Sequence, residues 1–555
     1  MERMRAPPVP PSHNLLQTPI FAVKTGGEYP RLPLPDLLAR LIAGPEVKAF
    51  SMLTAEQRGY FWRFAVRCAA KALRELNLTV SEARGRGALG EEIADALARA
   101  APAGAWELYQ PDPALPGFLQ PPTPEGRSPE LGYANNPPSI LTGALGEKLH
   151  ERKAGVVRQV TAEELVYALV EYQTAVIYGG RGNYGSQISG SASGAGSGTP
   201  FMGIRIAGSN VETFRHDVEV VLRRWDTVRE KNGLQGQVWA LWAEPWDGRS
   251  SLPSIQLDPA FIPTARLIRV GPPDADGLFR TVWFRPSECA RVSDLIGGGN
   301  LGDPFVPLIR DLKNPLAWKV RGTLSKGYDY AEVVRLLFGE DDRPVERSPS
   351  VEEVRTLDDG RRDDLFVRFE GVAYEQGKTV GFHSTEILLP ALARKGFAKP
   401  APIRAAHADM LKHVQAAKYA LRAAARLYMT GANRPGAAGA MADLPVVELE
   451  ARANRVGMPE DDRVEGWGYL QFLFDFAARQ AEGDGDWLWE WGQVLRFWAR
   501  RAFEQVLPSL PTSISRRFER ETAAWGYLEF RLAELADPAT SARVAKKPQP
   551  EEVSA

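Results

Sequence analysis

The sequence predicts an α+β chain: a large, irregular, mixed α/β N-terminal domain followed by a C-terminal four-helix bundle. Three observations carry this. Beyond residue 404, apolar side chains recur at spacings of three, four and seven over successive segments, as antiparallel bundle helices require. Between about 236 and 320, short aromatic and β-branched runs (QVWALW, ARLIRV, LFRTVWF) alternate with turn residues, and helices are too few for a doubly wound sheet. Two long stretches, 105–160 and 178–200, lose apolar periodicity to proline or glycine and serine. The implied organisation is a disordered 1–14, a mixed domain over 15–395, the bundle over 404–537 and a flexible tail over 538–555.

Taken in order, LLQTPIFAV with a Gly26-Gly27 turn reads as a hairpin, followed by an apolar helical run at Leu37, Leu38, Leu41 and Ile42. Thr54 with Gln57 makes a capping box for a helix so rich in apolar residues that it belongs at the centre of its domain. Gly90 to Ala100 gives one more short helix. Prolines then recur from Pro102 to Pro138, and 141–160 carries a modest basic cluster including Lys148, His150 and Lys153. Thr161 and Glu164 cap the next helix, Phe201 to Ile206 reads as a strand, and Asn210 is expected to cap the amphipathic helix that follows. Asp329 with Glu332 caps YAEVVRLLF, which ends at Gly339. LFVRFEGVAYEQGKTVGFHSTEILLP reads as strand, turn, strand, with Gly371 and Gly377 framing Tyr374-Glu375-Gln376. The bundle segments are about 404–430, 462–482, 486–507 and 513–536, with Gly431 to Met458 as a long crossover. The last is expected to bury Ile514, Phe518, Trp525, Leu528 and Leu532 on one face.

Composition narrows the function. Sixty-eight basic against sixty-nine acidic residues leave a formal net charge of -1, so no general field holds this protein on a polyanion. Any nucleic-acid contact must come from local groups within a larger assembly. Two cysteines, Cys68 and Cys289, with scattered histidines, give neither a disulfide framework nor a structural zinc site, and suggest a reducing interior. No signal peptide and no apolar run long enough for a membrane span is visible, so the expectation is a cytoplasmic protein with no membrane partner. No metal-ligand spacing is convincing, and no cofactor is expected. His383, Ser384 and Glu386 read as hairpin surface residues, not as part of a catalytic triad, and Asp363-Asp364 sits in a solvated charge run. The chain is not expected to be an enzyme.

The stretch Tyr178 to Pro200, YGGRGNYGSQISGSASGAGSGTP, organises the functional reading. Glycine permits close backbone approach but loses more conformational freedom on ordering than any other residue. Its first part (Gly179, Gly180, Arg181, Gly182, Asn183) carries a charge and reads as a ligand-facing turn; the later, nearly bare part reads as a tether. The Lys-Ser/Thr pair of a phosphate loop is missing, and the GxGxxG spacing at Gly180, Gly182 and Gly185 follows a helix instead of a strand.

The order of these features resembles the CasA-type large subunit of Cascade, the type I-E CRISPR surveillance complex. The shared order is NLL-x-x-PI from Asn14, the irregular loop, a Tyr172-Gln173 helix running into a glycine loop, a second glycine-framed hairpin bearing Gln376, and the bundle. The resemblance spans roughly 14 to 537. It implies a non-catalytic subunit that reads the protospacer-adjacent motif of duplex DNA from the minor groove and starts strand separation. The implied partners are the guide RNA 5′ handle, target duplex DNA, the backbone, handle-binding and small subunits, and a helicase-nuclease effector. The implied DNA-facing residues are Gly179, Gly180, Arg181, Gly182 and Asn183, then Gln376 as a wedge with Lys378 beside it. A basic finger comes from Arg285 or Arg291, with Lys319 and Arg321 as outsiders. The handle-contacting loop lies between Tyr133 and Lys153, with Lys148, His150 and Lys153 as its RNA-facing groups. The enterobacterial cysteine cluster is reduced to Cys289, and Arg181 stands where part of the family has glycine. A structural scaffold whose glycine segment is only a tether is the competing reading.

Overall fold

The computed structural model describes residues 13–102, 104–123, 134–141, 159–174, 199–293, 301–310, 318–340, 344–356, 365–375, 378–390, 394, 396–432, 439–454, 468–481, 488–537 and 539–540. The chain divides into two compact units. Unit 1 is Met1–Tyr328 with Arg343–Glu386, and unit 2 is Asp329–Asp342 with Ile387–Ala555.

Unit 1 opens with strands β1 (Phe21–Lys24) and β2 (Arg31–Leu32), helix α1 (Leu34–Ala43) and strand β3 (Ala49–Phe50), giving a small antiparallel sheet of order β2-β1-β3. Helix α2 (Ala55–Glu75) begins where Gln57 Oε1 accepts from Thr54 N, as the capping pair predicts. It is buried nearly all round because α4 (Leu89–Ala100), α5 (Ala162–Thr174) and α6 (Asn210–Asn232) pack against it, while the short α3 (Val80–Ala83) lies between α2 and α4 in sequence. Phe21, Phe61, Phe64 and Tyr167 meet edge-on or tilted at this crossing. Burying each such side chain stabilises the unit by about 1.5–3 kcal/mol. Trp106, Phe118, Trp239 and Trp242 form a second aromatic cluster, so part of the proline-rich stretch is packed core and not a free loop.

Two expectations are corrected at local level. The cap of α6 is Ser209, whose Oγ accepts from Glu212 N at 3.1 Å, and Asn210 is the first helical residue. Its Nδ2 instead donates to Val47 O at 2.6 Å, a long-range bond that competes for the amide. Strand β4 (Ala134–Asn136) also lies within the stretch read as irregular, paired to β10 (Val282–Arg285).

The remaining strands of unit 1 form several small sheets. β9 (Leu267–Val270) extends the β4-β10 pair; β6 (Val238–Ala240) runs parallel to β8 (Leu257–Ile262), and β7 (Leu252–Pro253) parallel to β11 (Val292–Ser293). β12 (Leu308–Arg310) lies between β13 (Trp318–Val320) and β14 (Val345–Glu346). Beyond the short helix α8 (Pro349–Glu352), β15 (Leu365–Glu375) pairs with β5 (Phe201–Ile206) from Leu365↔Ile206 to Glu370↔Phe201, and β16 (Lys378–Leu388) flanks β15.

Unit 2 is helical: α7 (Tyr330–Phe338), α9 (Ala401–Thr430), α10 (Leu444–Ala453), α11 (Tyr469–Ala481), α12 (Leu488–Val506) and α13 (Arg517–Ala536). Asp329 caps α7 by accepting from Glu332 N at 2.8 Å. Tyr330 then stacks on Tyr469 at 4.3 Å, and Phe338 meets Phe397 and Phe474. Helices α12 and α13 approach closely at Gly492, where a Cβ would lie 1.9 Å from Leu535 O.

The segment expected as a plain crossover contains α10, which buries Val446, Leu449 and Ala453 and packs on α9 and α12. The buried stripe of α13 is Ala524, Leu528, Leu532 and Leu535; of the predicted set Leu528 and Leu532 are buried and Trp525 is half-buried, but Ile514 is 93% and Phe518 85% exposed. Thr512 Oγ1 donates to Tyr428 O and Arg520 Nη1 to Met429 O. Both ends of 512–520 are thus pinned to the last turn of α9, and Ile514 and Phe518 between them are exposed.

Candidate nucleic-acid interface

The glycine-rich segment at 175–198, with Gly179, Gly180, Arg181, Gly182 and Asn183, lies outside the described residues, but both of its flanks are defined. On the approach, the penultimate residue of α5 is Gln173, which is fully buried. Its Nε2 donates to Leu119 O at 2.8 Å and Arg266 O at 3.0 Å, and its Oε1 accepts from Arg266 N at 2.8 Å. A buried amide that satisfies three backbone groups fixes the direction of the chain at its own position. Thr161 and Glu164 begin the same helix by the expected reciprocal bonds.

On the far flank the chain re-emerges at Thr199 and Pro200 and enters β5. Arg63 of α2 donates through Nη2 to Pro200 O, its Nε lies 3.0 Å from Asp303 Oδ2, and its guanidinium sits 5.4 Å from the Phe201 ring. Phe201 and Phe305 stack at 4.7 Å, and Met202 N donates to Phe305 O at 2.7 Å. Gly59 of α2 permits this approach, because a Cβ there would lie 3.2 Å from Phe201 Cβ.

One helical turn on, Arg67 donates to Phe261 O at 3.0 Å and Gly302 O at 3.1 Å; burial lowers its pKa to about 10 although Asp303 opposes the shift. Another turn on, Lys71 bonds Asp258 at 3.0 Å and Glu75 at 2.9 Å. Sequence reasoning missed this ladder. Its visible signal was three cations four residues apart in the otherwise apolar stretch from Gly59 to Leu73.

Beneath the ladder, Asp217 of α6 is fully buried, accepting from Trp62 Nε1 and Ser350 Oγ, each at 2.7 Å. Burial pushes its pKa up to about 7 against the pull of those two bonds and of Arg368. Ser350 Oγ also accepts from Ile204 N, so the network ends on β5.

The second site element is the β15–β16 hairpin. Gln376 and Gly377 at its tip lie outside the described residues, and Lys378 is the first residue of β16. Its arms are held by charge: Arg58 pairs with Glu370, while Arg205 and Arg368 converge on Glu386 at 2.5 Å and 3.2 Å. Gly371 is required by close packing, since a Cβ would lie 1.9 Å from Thr323 Oγ1. Glu386 is committed to the two arginines, and Ser384 Oγ contacts Glu370 at 3.4 Å, which leaves His383, Ser384 and Glu386 without a triad arrangement.

The basic finger candidates separate. Arg285 ends β10 opposite Leu267 and is half-buried. Arg291 is buried, with Nη2 donating to Glu244 O at 3.2 Å and its guanidinium 5.6 Å from the Trp246 ring; burial lowers its pKa. Its charge is directed into the protein interior. Lys319 is exposed on β13, opposite Ile309, and Arg321 follows at the end of that strand, half-buried, with its backbone N donating to Pro307 O. Lys148, His150 and Lys153 lie outside the described residues. Among the described residues no group of three His, Cys, Asp or Glu side chains is placed to hold a metal, and no helix is long and apolar enough to cross a membrane.

The described residues define a two-unit α+β protein in which the flanks of the glycine-bearing segments are held by buried, charge-clamped contacts. No protein-family model and no curated protein matches the sequence. Solved structures do match, over nearly the whole length. Thermobifida fusca Cse1 is 14% identical with a TM-score of 0.62, covering 96% of this chain and 98% of that one. Thermus thermophilus CasA is 16% identical with a TM-score of 0.60, covering 95% and 100%. A chain of a CRISPR RNA-guided surveillance complex is 14% identical with a TM-score of 0.56, covering 95% and 100%. The chain has the Cse1/CasA fold.

Proposed function

We propose that this chain is the large, non-catalytic subunit of a type I-E CRISPR RNA-guided surveillance complex in the cytoplasm. In this reading it recognises the protospacer-adjacent motif of duplex DNA from the minor groove, initiates strand separation and helps recruit a helicase-nuclease. The observation that carries the proposal is the shared fold over nearly the full length of Cse1/CasA proteins, one of them a chain of such a complex.

The chemistry agrees with it. Glycines 179, 180 and 182 allow backbone to approach a shallow groove floor, and Arg181 supplies the cation a narrow, negative groove attracts. Gln376 at the hairpin tip exchanges base stacking for protein contact, while guide pairing reads the target sequence. Of the finger candidates, Arg285, Lys319 and Arg321 remain suited to the duplex, and Lys148, His150 and Lys153 to the guide's 5′ handle. The net charge of -1 means the isolated chain should bind duplex only in the roughly 10⁻⁴ to 10⁻⁶ M range of non-specific contact.

The test is to assemble the guide-bearing complex with and without this chain and measure binding to guide-matched duplexes whose flanking motif is randomised. Motif-selective binding that depends on the chain is expected. Equal binding and selectivity without it, or nanomolar motif-selective binding by the chain alone, overturns the proposal.

A further inference from the structure

The buried ladder on α2 ties together chain segments that are distant in sequence. Arg63 reaches Pro200 O, at the C-terminal flank of 175–198, and Asp303, at the C-terminal flank of 294–300. Arg67 adds Gly302 O. The two flanks are also locked to each other, by the Phe201–Phe305 stack and the bond from Met202 N to Phe305 O, while Asp303 Oδ1 accepts from Phe305 N at 2.9 Å. Both intervening segments are glycine-bearing, with Gly297-Gly298-Gly299 in the second. Glycine imposes little conformation of its own, so where such a segment leaves and rejoins the fold decides where it can go.

We propose that Arg63 is a positioning residue for motif reading: by holding Pro200 and Asp303 on one guanidinium, it sets the relative placement of the flanks of the two glycine-bearing segments. This rests on the reading of the glycine segment under Proposed function. Arginine suits the task because one guanidinium donates to Pro200 O through Nη2 while its delocalised charge faces Asp303, which a lysine ammonium does not do in the same geometry. Lys71 provides the matched comparison. It is buried on the same helix and paired to a buried aspartate, but Asp258 lies in β8 and not at a loop flank.

The experiment compares complexes carrying the charge-neutral pairs Arg63→Met with Asp303→Asn, and Lys71→Met with Asp258→Asn. Each pair removes both charges of its ion pair together, buried Arg67 loses one nearby carboxylate in either case, Asp303 or Asp258, and the amide introduced by Asp303→Asn keeps an acceptor for Phe305 N. The readout is motif discrimination, the ratio of affinities for motif-bearing and motif-free duplexes, measured beside melting temperature and complex assembly. The Arg63 pair should lower discrimination about 10-fold or more with assembly intact, and the Lys71 pair should change it less than about 3-fold at a similar loss of melting temperature. If the pairs lower discrimination equally, or the Arg63 pair leaves it unchanged, Arg63 is structural and the inference fails. Should the Arg63 pair not assemble, Arg63→Lys carries the test, with reduced discrimination expected and parental discrimination overturning it. Gly180→Val is measured in parallel. Parental behaviour of that variant sinks the motif-reading proposal itself, whereas its failure beside an unaffected Arg63 pair sinks only the role of Arg63.

Discussion

Asp217 makes the stability of unit 1 depend on pH in an unusual direction. Its carboxyl is enclosed by Trp62, Ser350 and the packing of α6 on α2, and its pKa is raised from 3.8 to about 7. The folded state therefore keeps a proton that the unfolded chain gives up near pH 4. Its stabilising contribution is fully present below pH 4 and is lost as pH rises through 7. A displacement of about three pKa units at about 1.36 kcal/mol each corresponds to about 4 kcal/mol. Spread over the roughly 370 residues of unit 1, with about 2.1 cal/mol/K of unfolding entropy per residue, this is about 5 °C in melting temperature. The variant Asp217→Asn keeps the size and both neighbours but cannot ionise. Calorimetric melting of parent and variant from pH 4 to 8 cancels the other titrating groups in the difference. The variant should gain about 5 °C on the parent between the ends of that range. Parallel curves would show that the carboxylate is ionised in the fold and that the network has been misread.

Four further outcomes are expected. Gln173→Leu strands three buried backbone groups and should destabilise unit 1 by about 3–5 kcal/mol; hydrogen exchange should show the loss first at 118–120 and 265–270, and unchanged protection there would remove Gln173 as an anchor. A fragment starting at 387 should be helical by circular dichroism, but joining 329–342 to it through a flexible linker should raise its melting temperature, because Tyr330 and Phe338 complete its aromatic packing; identical melts would refute that. In the linked fragment His407, whose pKa burial lowers from 6.5 to about 4, should cost stability as pH falls from 6.5 to 4, the reverse of Asp217; a melting temperature independent of His407→Gln over that range would refute it. Gly180→Val should damage motif binding by the complex more than Arg181→Lys, since a branched side chain blocks approach while a charge survives; equal affinity in the Val variant and the parent would count against a groove-facing loop.

Local chemistry was legible at three helix starts where donor and acceptor lie within one turn. The pairs Thr54/Gln57, Thr161/Glu164 and Asp329/Glu332 were read from spacing alone and are formed. Ser209 and Asn210 are adjacent residues of equal capping ability, and the choice between them was made by Val47, more than 160 residues away. Periodicity placed Leu528 and Leu532 in the buried stripe of α13, but not Ile514 and Phe518, which lie in the stretch that Thr512 and Arg520 tie to the last turn of α9. The pairing of β15 with β5, and the clamping of Pro200 and Asp303 by Arg63, join residues separated by 137 or more positions, and no spacing rule encodes such contacts. The ladder's cations were visible as an anomaly in α2, but not their partners.

Strand opening at the hairpin tip is the central functional claim, and one comparison addresses it directly. Complexes bearing Gln376→Ala are presented with guide-matched targets that are either fully duplex or already melted beside the motif, and guide-target pairing is measured. A wedge must offset an unstacking cost of a few kcal/mol per step, while phosphate contacts elsewhere keep the duplex docked. The account predicts a large pairing defect on the fully duplex target, docking largely retained, and recovery on the pre-melted one. Equal pairing by parent and variant on both targets would contradict it.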